Sequence, residues 1–423
     1  MNPELKEALS FFTKEKRIMS SLCVTCGDLT RTETAADGEA RPGVPVGENT
    51  LYDLASVTKL FTGMTVLALR DRGLLDLNRK ITEYDARFTN LAEVSVETLL
   101  RFGAELKTPG RVDDQPDAES AEQCLFEVKN NGLPGRRPYS DIPAMVLKYV
   151  IEGATGKSFY ENIREMILEP AGMTETFARV PEDRLKDCVL YDLEHRIEKE
   201  KMILNTGILP GTPHDPKARK ISPHGENLCG HAGLFSTAHD LTKFCRAVLE
   251  GKILSTETLK EMAVNRTGKK LEDGTWSQFL GYQCYIRHPD QYFSEIPVYE
   301  SDSAFGIGGF TGNHLSIDPE KKIFVIFLGN RVYDRLTVLL PEDGKTYEDY
   351  GLNADGTGTF RWSDGREIPS SVNYVHQKDE HLHKVVEGVM EATPSPLRGA
   401  PPDQVEPEFV RTLQKENDVL CTS

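Results

Sequence analysis

Extended segments lie near both ends of this chain with a long helical stretch between them, and that order limits how it can fold. Met19 to Cys26 reads as an early strand, and the Gly- and Pro-rich Ala40 to Asn49 reads as a loop leading into a helix. From there to about Ala178 the pattern is mainly helical, including Ser140 to Glu152 and Ser158 to Leu168. Beyond Gly281 strands return: Phe310 to Ile317 and Ile323 to Leu328 flank Asp318-Pro319-Glu320-Lys321-Lys322, the pattern of a tight hairpin. If both ends share one sheet, the helical middle must form a second lobe. The expected fold is therefore α/β (α+β) and two-lobed, an antiparallel sheet flanked by helices with a mainly helical lobe inserted. The sheet lobe takes residues 1–50 and 235–392, and the helical lobe takes 51–234. Within the first, 341–369 is rich in Gly, Asp and Tyr without periodicity and reads as an inserted loop, a candidate lid or subunit contact; 393–423 reads as linker and polar tail.

The first helix of the middle section opens on Ser56-Val57-Thr58-Lys59, the only Ser-x-x-Lys in the chain. Three residues apart on a helix, Ser56 and Lys59 share a face. A serine hydroxyl is a weak nucleophile until a base takes its proton. Lys59 lies among Leu60, Phe61, Met64 and Val66, where desolvation favours the neutral amine that a base requires. The helix N-terminus adds unpaired amides for a developing oxyanion. Taken alone, the same residues also describe a helix cap followed by a surface lysine.

Composition narrows the partners. A formal net charge of -16 over 423 residues argues against nucleic acid or an anionic membrane, since each needs a basic face. No apolar run approaches a membrane span, and Met1-Asn2-Pro3-Glu4-Leu5-Lys6 lacks the basic start and apolar core of a signal peptide, so the expected location is cytoplasmic. That start instead predicts an amphipathic helix with Asn2 as cap, Pro3 at its first position, and Leu5, Ala8, Leu9 and Phe12 on one side. Eight cysteines are scattered without framework spacing; Cys23 and Cys26, three apart on a strand, face opposite sides, which favours reduced thiols.

Two further elements carry chemistry. Tyr139-Ser140-Asp141 precedes an amphipathic helix, and a tyrosine near the lysine can relay protons, first for serine and then for water. Phe305-Gly306-Ile307-Gly308-Gly309-Phe310-Thr311-Gly312 offers a backbone that an acyl group can approach closely, with amides able to complete an oxyanion hole. Either one alone has an ordinary reading, as a loop tyrosine or a strand-edge glycine cluster. His214, Asp215, His224, Cys229 and His231 cluster in sequence, but their spacing fits no standard zinc site, so no metal is expected. His376, His381 and His383 are read as surface residues near a C-terminal helix. No Gly-x-Ser-x-Gly elbow exists.

In their order, these elements resemble the serine β-lactamase and penicillin-binding-protein superfamily, specifically its class C-like branch of β-lactamase-related hydrolases and esterases, over most of residues 15–335. Ser56 and Lys59 match its Ser-x-x-Lys, and Tyr139-Ser140-Asp141 falls on its Tyr-x-Asn-type motif with Asp141 where asparagine is usual. Ala154 to Ser158, Ile167 to Met173 and Gly230 to Ala238 look like further family segments. The resemblance implies Ser56 as nucleophile, Lys59 and Tyr139 as proton carriers, the amides of Ser56 and Phe310 as oxyanion hole, and no cofactor. Asp141, His214 and His231 become candidates for orienting or touching substrate.

The third box departs from the family's Lys-Thr-Gly or His-Thr-Gly, offering Ile307-Gly308-Gly309. That removes a side chain able to bind a substrate carboxylate together with its neighbouring hydroxyl, while the Phe310 amide survives. An isoleucine facing an anion costs the anion its hydration. The implied preferred substrates are small neutral esters rather than penicillins or peptides ending in D-alanine, with weak β-lactamase or D-amino-acid peptidase activity left open, unless Arg331 replaces the missing cation. If Asp141 is charged it keeps Lys59 protonated, leaving Tyr139 as principal base. Two alternatives stay open: an acyltransferase, marked by a hydrophobic acceptor groove, and a binding or regulatory protein that keeps the fold without turnover.

Overall fold

The protein, described by a computed structural model over residues 2–198, 201–221, 228–290, 295–362 and 364–392, begins as its first residues predict. The Asn2 side chain accepts from the amides of Glu4 and Leu5 and opens α1 (Pro3–Ser10), which buries Leu5 and Leu9. The main sheet contains, in chain order, β1 (Ser21–Asp28), β2 (Thr32–Arg41), β3 (Val44–Pro45), β4 (Tyr285–Ile286), β5 (Phe305–Gly309), β6 (Asn313–Asp318) and β7 (Ile323–Asn330). Its seven strands run in the order β4-β5-β6-β7-β1-β2-β3, every pair antiparallel. The two chain ends meet where β1 pairs with β7, Ser21 opposite Asn330 and Asp28 opposite Ile323.

Strand alternation sorts the sheet's side chains. Leu22, Val24, Cys26, Ile323, Val325 and Phe327 lie under α1 and α5 (His383–Ala392), whereas Cys23, Phe324, Ile326 and Leu328 join the larger core shared with the helical section. Cys23 and Cys26 thus face opposite sides, and the seven described cysteines are free thiols. In the larger core, α2 (Thr58–Asp71) is buried on all sides from Thr58 to Leu69, packing beside α3 (Ile142–Thr155), while α4 (Ala238–Leu249) packs on β1 and β7. No helix among the described residues is long and apolar enough to cross a membrane. The lobe boundaries near residues 50 and 235 are a proposal that rests on this sheet being built from both chain ends.

Three local expectations change. Ala40 to Asn49 is not all loop, because β2 continues to Arg41 and turns back through Val44–Pro45. Phe310 does not begin a strand: Phe305–Gly309 is a strand of its own, and the chain reverses at Phe310 to Gly312, where the Gly312 amide donates to the Gly309 carbonyl. The 341–369 segment holds a short 3-10 turn (Glu348–Tyr350) and a hairpin pairing Thr359–Arg361 with Glu367–Pro369. Leu352 and Ile368 pack there with Ile197, Leu336 and Leu339, flanked by Tyr347, Tyr350, Phe360 and Trp362. Aromatic side chains give that segment a small core despite its glycines. The 393–423 tail lies outside the described residues.

Candidate active site

Ser56 sits in a short 3-10 turn, Ala55–Val57, that feeds directly into α2. Ala55 takes a left-handed φ of 47°, a conformation that costs a non-glycine residue about 1–2 kcal/mol and so needs fixing from outside. Asp53 does the fixing. One of its carboxylate oxygens accepts the Ala55 amide at 2.9 Å and the other accepts the His214 amide at 2.7 Å. Its main-chain oxygen accepts from Thr311 Oγ1 at 3.0 Å and from Asn313 Nδ2 at 2.7 Å. The end of β5 is pressed against the same turn, since a Cβ on Gly309 would lie 2.8 Å from the Leu54 carbonyl oxygen. These contacts bring the Phe310 backbone and the Ser56 turn into one cleft of about 440 Å³.

Lys59 Nζ donates to Ser56 Oγ at 2.9 Å and to Asp141 Oδ1 at 2.7 Å, and lies 4.8 Å from the Tyr139 ring centroid. The Lys59 side chain is fully buried. Burial pulls its ammonium toward neutrality, but Asp141 and Tyr139 outweigh that and raise Lys59 above its ordinary value. Lys59 is thus a buried cation beside Ser56, which corrects the expectation of a neutral amine. Asp141 stands at the N-cap of α3 yet caps nothing; its other oxygen takes Lys217 Nζ at 3.0 Å. Lys217 in turn lies 3.5 Å from Asp215, and His231 Nε2 is 2.9 Å from Asp215 Oδ1. Cations and carboxylates therefore alternate from Lys59 through Asp141, Lys217 and Asp215 to His231. Burial raises the Asp141 carboxyl, but Lys59, His231 and Lys217 hold it well below the usual range. Burial would lower His231, but Asp215 and Asp141 raise it to about 10.

This chain of charges has a pH signature. The folded-state pKa of His231 lies above its ordinary 6.5, so the stability it contributes is complete below about pH 6.5 and is lost as pH climbs toward 10. Asp215 is depressed, so its share is present above its ordinary 3.8 and is lost in acid. The melting-temperature gap between the wild type and His231→Gln is therefore expected to be widest near pH 5–6 and to narrow by pH 10. A gap that does not change with pH contradicts the pairing.

Tyr139 lines the same cleft, its ring stacked on Tyr285 at 5.2 Å and tilted against Phe102 at 5.6 Å, with its amide donating to Gln278. His214 also lines the cleft; its ring is parallel to that of Phe310 at 5.4 Å and its Nε2 is 2.9 Å from Glu194 Oε2. Burial raises the Glu194 carboxyl, but His214, Thr337 and Asn205 bring it down to about 2. Gly308 and Gly309 lie on the cleft wall.

Three sequence candidates fall elsewhere. Ile307 is fully buried in the core beside Phe305 and Leu315, because the strand phase turns position 308, not 307, toward the cleft. Arg331 is buried, stacked on Phe310 at 4.6 Å and Tyr374 at 4.4 Å with Nη2 donating to the Thr337 carbonyl, so it does not replace a substrate-binding cation. His231 is buried behind Asp215 and does not line the cleft. Asp141, Asp215 and His231 lie close enough together for a metal, but Lys59 and Lys217 already supply cations to those carboxylates. His224 lies outside the described residues. Sequence reasoning missed the bracing role of Asp53, the second lysine Lys217, and Glu194 as partner of His214; Asp53 and Lys217 stand beside residues the motifs marked, but only their distant partners give them a role, and Glu295, which also lines the cleft, comes from a segment without a local signature.

The same residues stand inside a recognised boundary: the sequence model of the family described as Beta-lactamase matches residues 16–342. The chain belongs to the beta-lactamase family. It is accordingly a serine hydrolase with a beta-lactamase-like fold. Among curated relatives of this beta-lactamase family member, a Salmonella typhi protein named "Putative D-alanyl-D-alanine carboxypeptidase" is 27% identical over 312 residues, spanning 67% of this chain and 70% of that protein. Among solved structures, EstCE1, titled a hydrolase with promiscuous acyltransferase activity, superposes with a TM-score of 0.61 at 18% identity, covering 77% of this chain and 92% of its own. Simvastatin synthase LovD from Aspergillus terreus gives a TM-score of 0.60 at 17% identity, covering 80% and 93%.

Proposed function

We propose that this beta-lactamase family member is a carboxylesterase-like hydrolase that forms an acyl-enzyme on Ser56 with small esters lacking a carboxylate beside the scissile bond. The observation that carries this reading is the contact of Lys59 Nζ with Ser56 Oγ at 2.9 Å inside a cleft bounded by Phe310. Lys59, held as a cation by Asp141, orients the Ser56 oxygen, and Tyr139, acting as its phenolate, takes the serine proton as Ser56 attacks the carbonyl. The amides of Ser56 and Phe310 receive the oxyanion, each donor contributing about 3 kcal/mol in comparable sites. Tyr139 returns its proton to the leaving alcohol, then activates the water that releases the acid.

Arg111, Asp141, Arg196, Asp215, Lys217 and Glu295 on the cleft wall support water over an apolar acceptor as the second substrate. A protein without turnover is not favoured, because Ser56, Lys59 and Tyr139 share the cleft or touch one another.

The test is intact-mass spectrometry after exposure to a fluorophosphonate, with parallel turnover of short p-nitrophenyl esters and exposure to a penicillin. One adduct per chain and ester turnover are expected, both lost in Ser56→Ala. A stable penicillin adduct overturns the substrate reading, and no labelling by any probe overturns the mechanism.

A further inference from the structure

The cleft wall along β5 holds a group of charges separate from the Lys59 to His231 chain. Gly308 pairs with His314 of β6, so a side chain at 308 would project on the same sheet face as His314. That space is taken. A Cβ on Gly308 would lie 3.2 Å from Glu295 Oε2, so the Glu295 carboxylate sits where a side chain at 308 would begin. Glu295 lines the cleft beside Gly308, Gly309 and Tyr374, and Tyr374 Oη donates to the Gly309 carbonyl at 3.1 Å.

The partners of Glu295 stand behind it. Lys378 Nζ is 3.4 Å from Oε2, and His314 Nδ1 is 3.8 Å from the same oxygen. Lys378 is buried and is shared with Asp379 at 3.4 Å, so one cation faces two carboxylates. His314 is packed against His383, which is buried rather than on the surface, and burial keeps both rings below their ordinary pKa. Oε1 of Glu295 takes no hydrogen bond among the described residues. Lys217, Arg111 and Arg196 also line the cleft, but each is already paired, Lys217 with Asp141 and Asp215, Arg111 with Asp113 and Arg196 with Glu198.

We propose that Glu295 is the specificity-determining residue of this cleft: the arm of the substrate that runs along β5 past Gly308 carries an ammonium group, and substrates with a carboxylate in that arm are rejected. This rests on the acyl-enzyme reading above. Where a family member of the usual pattern offers a side chain at 308, this chain offers a carboxylate, and an apposed like charge in a partly desolvated site is strongly unfavourable.

The experiment compares kcat/KM for two isosteric ester series. In the leaving-group arm these are the butyrates of 2-(dimethylamino)ethanol, 3-methylbutanol and 3-hydroxypropanoate. In the acyl arm they are the p-nitrophenyl esters of 4-(dimethylamino)butanoate, 5-methylhexanoate and glutarate. In one arm the protonated amine is expected to exceed its neutral isostere by about tenfold or more and the carboxylate to fall below it by as much. Glu295→Gln is expected to bring both ratios in that arm toward one. Glu295→Asp, which draws the carboxylate back by one methylene, gives an intermediate ratio and serves if the glutamine variant does not fold.

Fluorophosphonate labelling of Ser56 is read on every sample. Labelling and turnover with flat ratios in both arms, or with ratios unchanged in Glu295→Gln, overturn the selection alone. Absence of labelling and of turnover for all six esters overturns the acyl-enzyme reading, and the selection with it.

Discussion

Replacing Tyr139 by phenylalanine is expected to lower kcat/KM on p-nitrophenyl esters by about 10²- to 10⁴-fold, the usual contribution of a positioned acid–base group. The fold should not register the change, because the Tyr139 ring is held by stacking on Tyr285 and Phe102, contacts that need no hydroxyl. Steady-state kinetics and thermal melts on the same preparation separate these effects. Lys59→Met is the companion variant, since it removes the 2.9 Å contact to Ser56 Oγ while keeping most of the side-chain volume. If Tyr139→Phe retains activity within a few-fold and Lys59→Met does not, the proton passes through Lys59 and the buried cation must discharge during turnover.

The second large effect is on stability. Asp141 is the only described acidic partner within 4 Å of the fully buried Lys59 ammonium, and it also pairs with Lys217. Asp141→Ala leaves a buried charge uncompensated, which typically costs about 3–5 kcal/mol. A drop of that size in urea-unfolding free energy at pH 7 is the expected result. Asp141→Asn keeps a hydrogen-bond acceptor for Lys59 and should cost clearly less. Equal losses in the two variants would mean that charge pairing is not what Asp141 supplies.

What was legible in the sequence was local or sequential. Ser56 and Lys59 lie within one helical turn, so their contact follows from spacing, and Tyr139 and Asp141 lie two apart just before a helix. The capping of α1 by Asn2 and the opposed faces of Cys23 and Cys26 follow from periodicity in the same way. Ile307 was placed by motif alignment, but strand phase decides which neighbour sees the cleft, and that phase is set by pairing with β6. Arg331 had the right charge near the right strand, but its guanidinium is committed to two aromatic rings. Lys217 meets Asp141 from 76 residues further along the chain and Glu295 meets Lys378 across 83 residues, and no local pattern announces such meetings. The protonation of Lys59 turned on a balance of burial against two neighbours, which requires distances.

The brace on the Ser56 turn also bears on when this hydrolase can act during its own synthesis. The Asp53 carbonyl is held by Thr311 and Asn313, groups 258 and 260 residues further along the chain. At roughly 5–20 residues per second, the serine leaves the peptidyl-transferase centre on the order of 10–50 s before the residues that shape its turn have been made. A ribosome-bound chain stalled before residue 311 is expected to take no fluorophosphonate, so the growing polypeptide carries its nucleophile unarmed, and hydrolytic competence arrives only once Thr311 and Asn313 have been made.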